Sequence, residues 1–254
     1  MMKKVFIYVH LFFSLLMADE GSFEKGVVFY DARSEGAVGY NVKPLPIENA
    51  IKQFKKASTE FELDAGIYLM RSYYFKGKFI AKTDDEKKKV FSKGKKLGER
   101  LADLYPNSAA VRYWFLVNLG SWAEIYGTMA AAKEGVARLM RDHSKKIIEI
   151  DPNYSNGGGY FMLGAVHFKS PYIPFILSWP SNDLAIKNLK KAYSIGDPTP
   201  SQIVYLAQAL FKDGQKDKVK SHLSELLKKP LSRKEKVEDL DQHQIAKRLL
   251  KEWE

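Results

Sequence analysis

The 254-residue chain is 45% hydrophobic and 28% charged, a balance that predicts a packed protein and excludes a disordered one. It contains no cysteine, which excludes disulfides, thiol catalysis, Cys-based metal sites and a lipidated N-terminal cysteine. The net charge of +11 comes from lysine clusters such as Lys87-Lys88-Lys89 and Lys93, Lys95, Lys96, which lack interleaved aromatics and any nucleic-acid motif, so they predict a solvated face and not a nucleic-acid partner.

In chain order, the first segment has the pattern of an export signal. Lys3 and Lys4 precede an apolar run from Val5 to Met17, broken only by His10 and Ser14, and Ala18 stands before Asp19-Glu20. A basic start, a short apolar stretch and a small residue before polar sequence predict a secretory signal peptide over residues 1–18, the alternative being a lone buried N-terminal helix. The run is too short to span a bilayer as a stable helix. The expected location is therefore periplasmic, with residues 19–254 forming one helical-repeat domain.

From residue 50 onward a spacing recurs that belongs to helical hairpins of the tetratricopeptide type: small residues where two helices cross closely, large ones filling the gap beside them. Ala50, Phe54 and Ala57 predict a second helix of one hairpin; Tyr68, Ser72 and Phe75 begin the next, which Gly94, Gly98 and Leu101 complete before Pro106. Trp114, Asn118 and Ser121 open another that closes with Ile147 and Pro152. Tyr160, Leu163, Gly164 and His167 pair with Ala185, Leu189 and Ala192; Ile203, Leu206, Ala207 and Leu210 pair with Val219, Leu223 and Leu226 around Gly214. The expected fold is all-α: a solenoid of about five such hairpins ending in a capping helix near residues 234–253. On this register Gly157-Gly158-Gly159 is a repeat boundary. A phosphate loop would require a Gly-Lys-Ser/Thr ending or a preceding strand, and Tyr160-Phe161 provides neither; an anion-binding helix N-terminus is the alternative.

Two irregularities mark candidate binding residues. Phe115, Leu119, Trp122 and Tyr126 fall at i, i+4, i+7 and i+11, one stripe with Phe161 and Phe168 as counterparts in the next repeat. Between His167 and Ala185 lie 17 residues where the repeat expects about eight; this insert, FKSPYIPFILSWPSND, holds three prolines and cannot be one helix. If the stripe faces the concave side, Phe115, Trp122, Tyr126, Phe161, Phe168 and Trp179 line a chamber for a small apolar ligand; otherwise the stripe is core and the insert folds onto its own repeat. Polar candidates for a peptide groove are few: Arg71, Arg112 and Asn118. No catalytic residues, metal ligands or cofactor motif are found: His143, His167, His222 and His243 lack metal-ligand spacing, and Gly-x-Ser-x-Gly and His-Glu-x-x-His are absent. Asp84-Asp85-Glu86 and Glu238-Asp239 are expected to be helix caps and salt-bridged faces. A non-catalytic scaffold is the reading, with an interaction scaffold in envelope assembly or secretion as the alternative.

The segments YWFLVNLGSWAEIYG, IDPNYSNGGGYFMLGAVHFKSPYIP, DLAIKNLKKAYSIGDPTPSQIVYLAQAL and VEDLDQHQIAKRLLKEWE together resemble the T-component of tripartite ATP-independent periplasmic (TRAP) transporters over most of residues 46–253. That resemblance implies a repeat scaffold associating with a periplasmic solute-binding protein, an apolar channel through each protomer, and trimers. Lipid anchoring through cysteine, frequent in that family, is impossible here.

Export makes the first prediction. Intact-mass measurement on protein from its native host should find residues 1–18 removed; retention of Met1 or Met2 would sink the envelope expectation.

Overall fold

A computed structural model describes residues 21–57 and 61–253, so the expected signal peptide lies outside the described residues. Helices α1 (residues 21–31) and α2 (Pro44–Phe54) form the first hairpin. They are followed by α3 (Glu62–Phe75) with α4 (Asp84–Leu104), and by α5 (Ala109–Tyr126) with α7 (Val136–Ile150), between which the short α6 (Thr128–Lys133) is inserted. Then come α8 (Tyr154–Lys169) with α9 (Asn182–Tyr193), α10 (Pro200–Lys212) with α11 (Lys216–Lys228), and a last helix, α12 (Lys236–Glu252). No strand occurs among the described residues, only two isolated bridges in connectors. The all-α repeat solenoid expected from the spacing is the observed fold.

Local chemistry sets the helix starts. Thr83 accepts from the amide of Glu86, whose carboxylate accepts from the amides of Lys82 and Thr83; Thr199 and Gln202 make the same reciprocal cap at α10, with Pro200 in its first turn. Each hairpin packs on the next, so α3, α5, α8 and α10 form one row and α2, α4, α7, α9 and α11 back it. The small residues sit where the register put them. A Cβ on Gly98 would lie 2.9 Å from the Phe115 backbone, and Ala185 is fully buried where the Gly164 turn of α8 crosses α9.

The glycine triplet is a packing junction. Ser155, Asn156 and Gly157 adopt left-handed backbone before α8 proper begins. A Cβ on Gly157 would meet the Ala192 backbone at 3.1 Å, on Gly158 the Tyr113 ring at 2.7 Å, and on Gly159 the Ile148 amide at 3.1 Å. The turn is thus wedged between α5, α7 and α9, and the repeat-boundary reading holds.

One feature departs from a one-dimensional stack. Helix α12 packs on α10 and α11 as a capping helix should, with Trp253 stacked 3.8 Å from Phe211. Its first half, however, reaches the opposite end of the chain. Val237 is fully buried in the core of the first hairpin with Tyr30, Ile47, Phe54 and Phe75. Arg33, 2% exposed, donates to Glu238 from Nε at 2.9 Å and forms an ion pair through Nη2 at 2.8 Å, while Nη1 donates to the Tyr30 carbonyl. The inner row closes on itself.

The crossing geometry makes the second prediction. Ala185→Leu and Gly98→Ala should each cost about 1–3 kcal/mol, read as a lower Tm by thermal unfolding; unchanged midpoints for both would mean the crossings are misassigned.

Candidate functional site

The inner face of the closed row is aromatic with polar tips. It presents Arg71 and Tyr74 from α3, Tyr113 and Trp114 from α5, Tyr154 from the start of α8 and Tyr205 from α10, all half-buried. Their rings meet edge-on: Tyr113 with Trp114 at 5.5 Å and with Tyr154 at 5.6 Å, while Tyr74 lies 6.3 Å from Trp114. Arg71 sits over three ring faces, Tyr30 at 4.8 Å, Tyr68 at 4.9 Å and Trp114 at 5.2 Å.

Against this face α12 turns an acidic side. Burial, with Asp241 and Glu238 adding their charges, holds the Tyr74 hydroxyl well above its ordinary range. Burial likewise pushes Tyr113 up to about 12, with Glu235 among its neighbours, and raises Tyr205. These hydroxyls remain protonated and serve only as hydrogen-bonding groups. Burial also raises the Glu238 carboxyl, opposed by Arg33. Lys78 pairs with Asp241 at 3.4 Å, and Tyr40 Oη donates to the Leu240 carbonyl. The fit is incomplete: Arg71 Nε, Glu238 Oε2 and Gln242 Oε1 are buried without a hydrogen-bond partner among the described residues. Beside this contact a cleft of about 600 Å³ opens between α12 and α5, walled by Phe79, Phe91, Ile125 and Ile245, with Lys78, Glu124, Asp241 and Arg248 also lining it.

The six residues predicted to line a chamber are not assembled in this cleft. Phe115 is buried between α4 and α7, with its backbone at Gly98 and its ring 5.0 Å from His143. Trp122 stacks on Tyr126 at 4.3 Å, and both carry α4 lysines on their faces, Lys95 at 5.2 Å and Lys88 at 5.6 Å; Tyr126 Oη also bonds Ser92. The stripe therefore packs on the helix behind it instead of facing the concave side, because α4 lies flush against that side of α5. Phe161 and Phe168 face α10, at 5.3 Å and 6.3 Å from Tyr205, and are the two of the six nearest the inner face. Trp179 folds onto its own repeat, edge-on to His167 and beneath Arg141. Of the polar candidates, Arg71 is on the inner face, Asn118 is buried donating to the Met70 and Trp114 carbonyls, and Arg112 binds the Pro106 carbonyl and His143. Sequence reasoning missed Tyr74, Tyr113 and Tyr205. Their signal was present one position before the packing residues Phe75, Trp114 and Leu206.

The described residues hold no cluster of His, Asp and Glu that could bind a metal ion, and no helix among them is long and apolar enough to cross a membrane.

The sequence model of the family described as regulator of microtubule dynamics protein 1-3 matches residues 40–176, just over half of the chain. Among solved structures, a thermophilic TPR protein of Thermus thermophilus superposes with a TM-score of 0.61, covering 91% of this chain and 99% of that one at 17% identity. At that identity the likeness concerns the fold alone. No curated protein sequence matches, and neither that family description nor that structure's description names a TRAP T-component.

His143 makes the third prediction. Burial, then Arg112, lowers its pKa from 6.5 to about 4, and the neutral ring receives Arg112 Nη1 on Nδ1 at 2.9 Å. The unfolded chain therefore binds this proton first, so the stability contributed is complete above about 6.5 and falls as pH drops toward 4. Thermal unfolding of His143→Gln should show a shallower loss of Tm across that window than the parent. Parallel curves would show that the histidine is not buried in this way.

Proposed function

Because the chain belongs to the regulator of microtubule dynamics protein 1-3 family and has a repeat fold of the kind used to hold protein partners, we infer that it is a non-catalytic scaffold whose inner face accepts an amphipathic helix with an acidic side. One observation carries this reading. The chain's own α12 lies there, placing Glu238 on Arg33 and Asp241 on Lys78, with Tyr74 beside both carboxylates. Helix-in-groove recognition combines apolar anchors with a few oriented polar groups, and this face supplies Arg71, Lys78 and the tyrosine hydroxyls for them. The buried polar atoms left without partners make α12 an imperfect occupant, one that a better-matched helix could replace.

The partner class has two sources. The resemblance to the TRAP T-component implies a periplasmic solute-binding protein; the family description names the regulation of microtubule dynamics. Capture of a solute-binding protein from an envelope fraction, or co-sedimentation with polymerised tubulin, separates them. A small apolar ligand has one observation in its favour, the cleft walled by Phe79, Phe91, Ile125 and Ile245, and extraction of molecules co-purifying with the protein tests it directly.

The inner-face reading makes the fourth prediction. A labelled peptide of residues 235–254 should bind poorly to the intact chain but measurably, by fluorescence anisotropy, to Glu238→Ala/Asp241→Ala, in which the resident helix is loosened. Adding Arg71→Ala should weaken that binding severalfold. Equal anisotropy curves for the intact and loosened chains would refute an exchangeable groove.

A further inference from the structure

Consecutive helices in this array run antiparallel, so the connector inside every hairpin lies along one edge of the solenoid and the connector between hairpins along the other. Of the five inner connectors, that between α10 and α11, residues 213–215, is short; the other four are long: residues 32–43, the π-helical turn Lys76–Ile80 together with residues 81–83, α6, and the insert 170–181. The exposed apolar side chains are concentrated there. All of the eleven large exposed hydrophobics among the described residues except Val28 and Leu104 lie in or beside these connectors.

The insert is the most pronounced case. Three prolines keep it out of a helix, and its far end is anchored: Pro180 is buried and the Ser181 amide donates to His167 Nδ1. Its near half does not fold inward. Ile173 and Leu177 exchange backbone hydrogen bonds at 2.9 and 2.8 Å, closing a tight turn whose apex, Phe175, has φ +65°. A side chain at such a position is strained where glycine would not be. Phe175 stands fully exposed, Ile176 beside it is 82% exposed, and Met129 on the neighbouring connector is 89% exposed.

Lysines alternate with these tips. Lys43, Lys82, Lys133 and Lys169 are exposed, one on or beside each long connector, and none is paired with a carboxylate among the described residues. Of the acidic residues at this edge, Glu86 is held in the α4 cap, Asp84 faces Lys87 and Glu134 faces Lys95, while Glu35, Asp85 and Asp183 are exposed.

We propose that this edge docks the protein on the surface of an anionic lipid bilayer, Phe175 and Ile176 entering the interface and the connector lysines meeting the headgroups. Projecting apolar tips on separate loops suit a bilayer, which accepts them at any lateral spacing, whereas a protein partner would need a matching pocket for each. Apolar insertion and attraction of lysine to anionic headgroups reinforce each other at an interface. The edge meets α12 through Tyr40 and Lys78, but Phe175 and Ile176 stand on another connector, so a protein partner could be held while the scaffold is docked.

The test is co-sedimentation of the full chain with large unilamellar vesicles of phosphatidylglycerol and phosphatidylcholine, beside vesicles of phosphatidylcholine alone. Binding to the anionic vesicles should weaken about tenfold in Phe175→Ser/Ile176→Ser, weaken at high salt, and leave the Tm unchanged because the apex packs against nothing. The apolar segment 5–17 contributes equally to both chains, and depth is read separately: Phe175→Trp should gain fluorescence that brominated acyl chains quench. Unchanged binding of the serine variant together with an unquenched tryptophan at 175 would overturn the proposal, as would an absence of binding to anionic vesicles.

Discussion

The contact between Arg33 and Glu238 decides what kind of molecule this is. In an ordinary solenoid each repeat touches only its neighbours. Here a buried guanidinium and a half-buried carboxylate, 205 positions apart, join the first hairpin to α12. A charge that is 2% exposed tolerates the loss of its partner badly, so whichever helix occupies this face must bring Arg33 a carboxylate. Val237 then completes the first hairpin's core, the inner row of helices closes, and the tyrosines of α3, α5 and α10 come to face a helix instead of open solvent.

How much of this could be read beforehand varied with range. The hairpin register was legible because helix crossings impose a local rule: Gly98 and Ala185 must be small, whatever lies elsewhere in the chain. The direction of the aromatic stripe was not. Period 3.6 shows that Phe115, Trp122 and Tyr126 share a side, but both flanks of a repeat helix are in contact with something, one with the helix behind and one with the groove. The structure assigns the stripe to α4 and gives the groove to Tyr113 and Trp114, which lie on other sides of α5. Prolines announced that the insert was not a helix; whether its apolar residues point inward or outward depends on a turn at Phe175 that no pattern encodes. The long-range pair was invisible, since Arg33 and Glu238 have no periodic relation at all.

The lysine surplus has a partly structural use. The ammonium groups of Lys95 and Lys88 lie over the rings of Trp122 and Tyr126 at the back of α5. The charge pattern thus belongs in part to the packing of the repeat, which explains why dense lysine clusters accompany no nucleic-acid motif. Fold and role separate in the same way. Likeness to a repeat protein of another organism accounts for how the helices stack, while any particular partner must be recognised by the groups this chain places on its inner face.

Closure also bears on how the chain acquires its structure. Repeat arrays rich in neighbour contacts nucleate anywhere and fold quickly, because no step waits on a distant segment. Here the core around Tyr30, Phe54 and Phe75 lacks Val237, and Arg33 lacks its counter-charge, until α12 has been made. During synthesis the first hairpin therefore stays unfinished, with an uncompensated cation and an open apolar socket, while the middle repeats can already consolidate. Helix α12 acts as a keystone, turning a chain of separately melting units into one cooperative body whose first hairpin and closing helix are lost together.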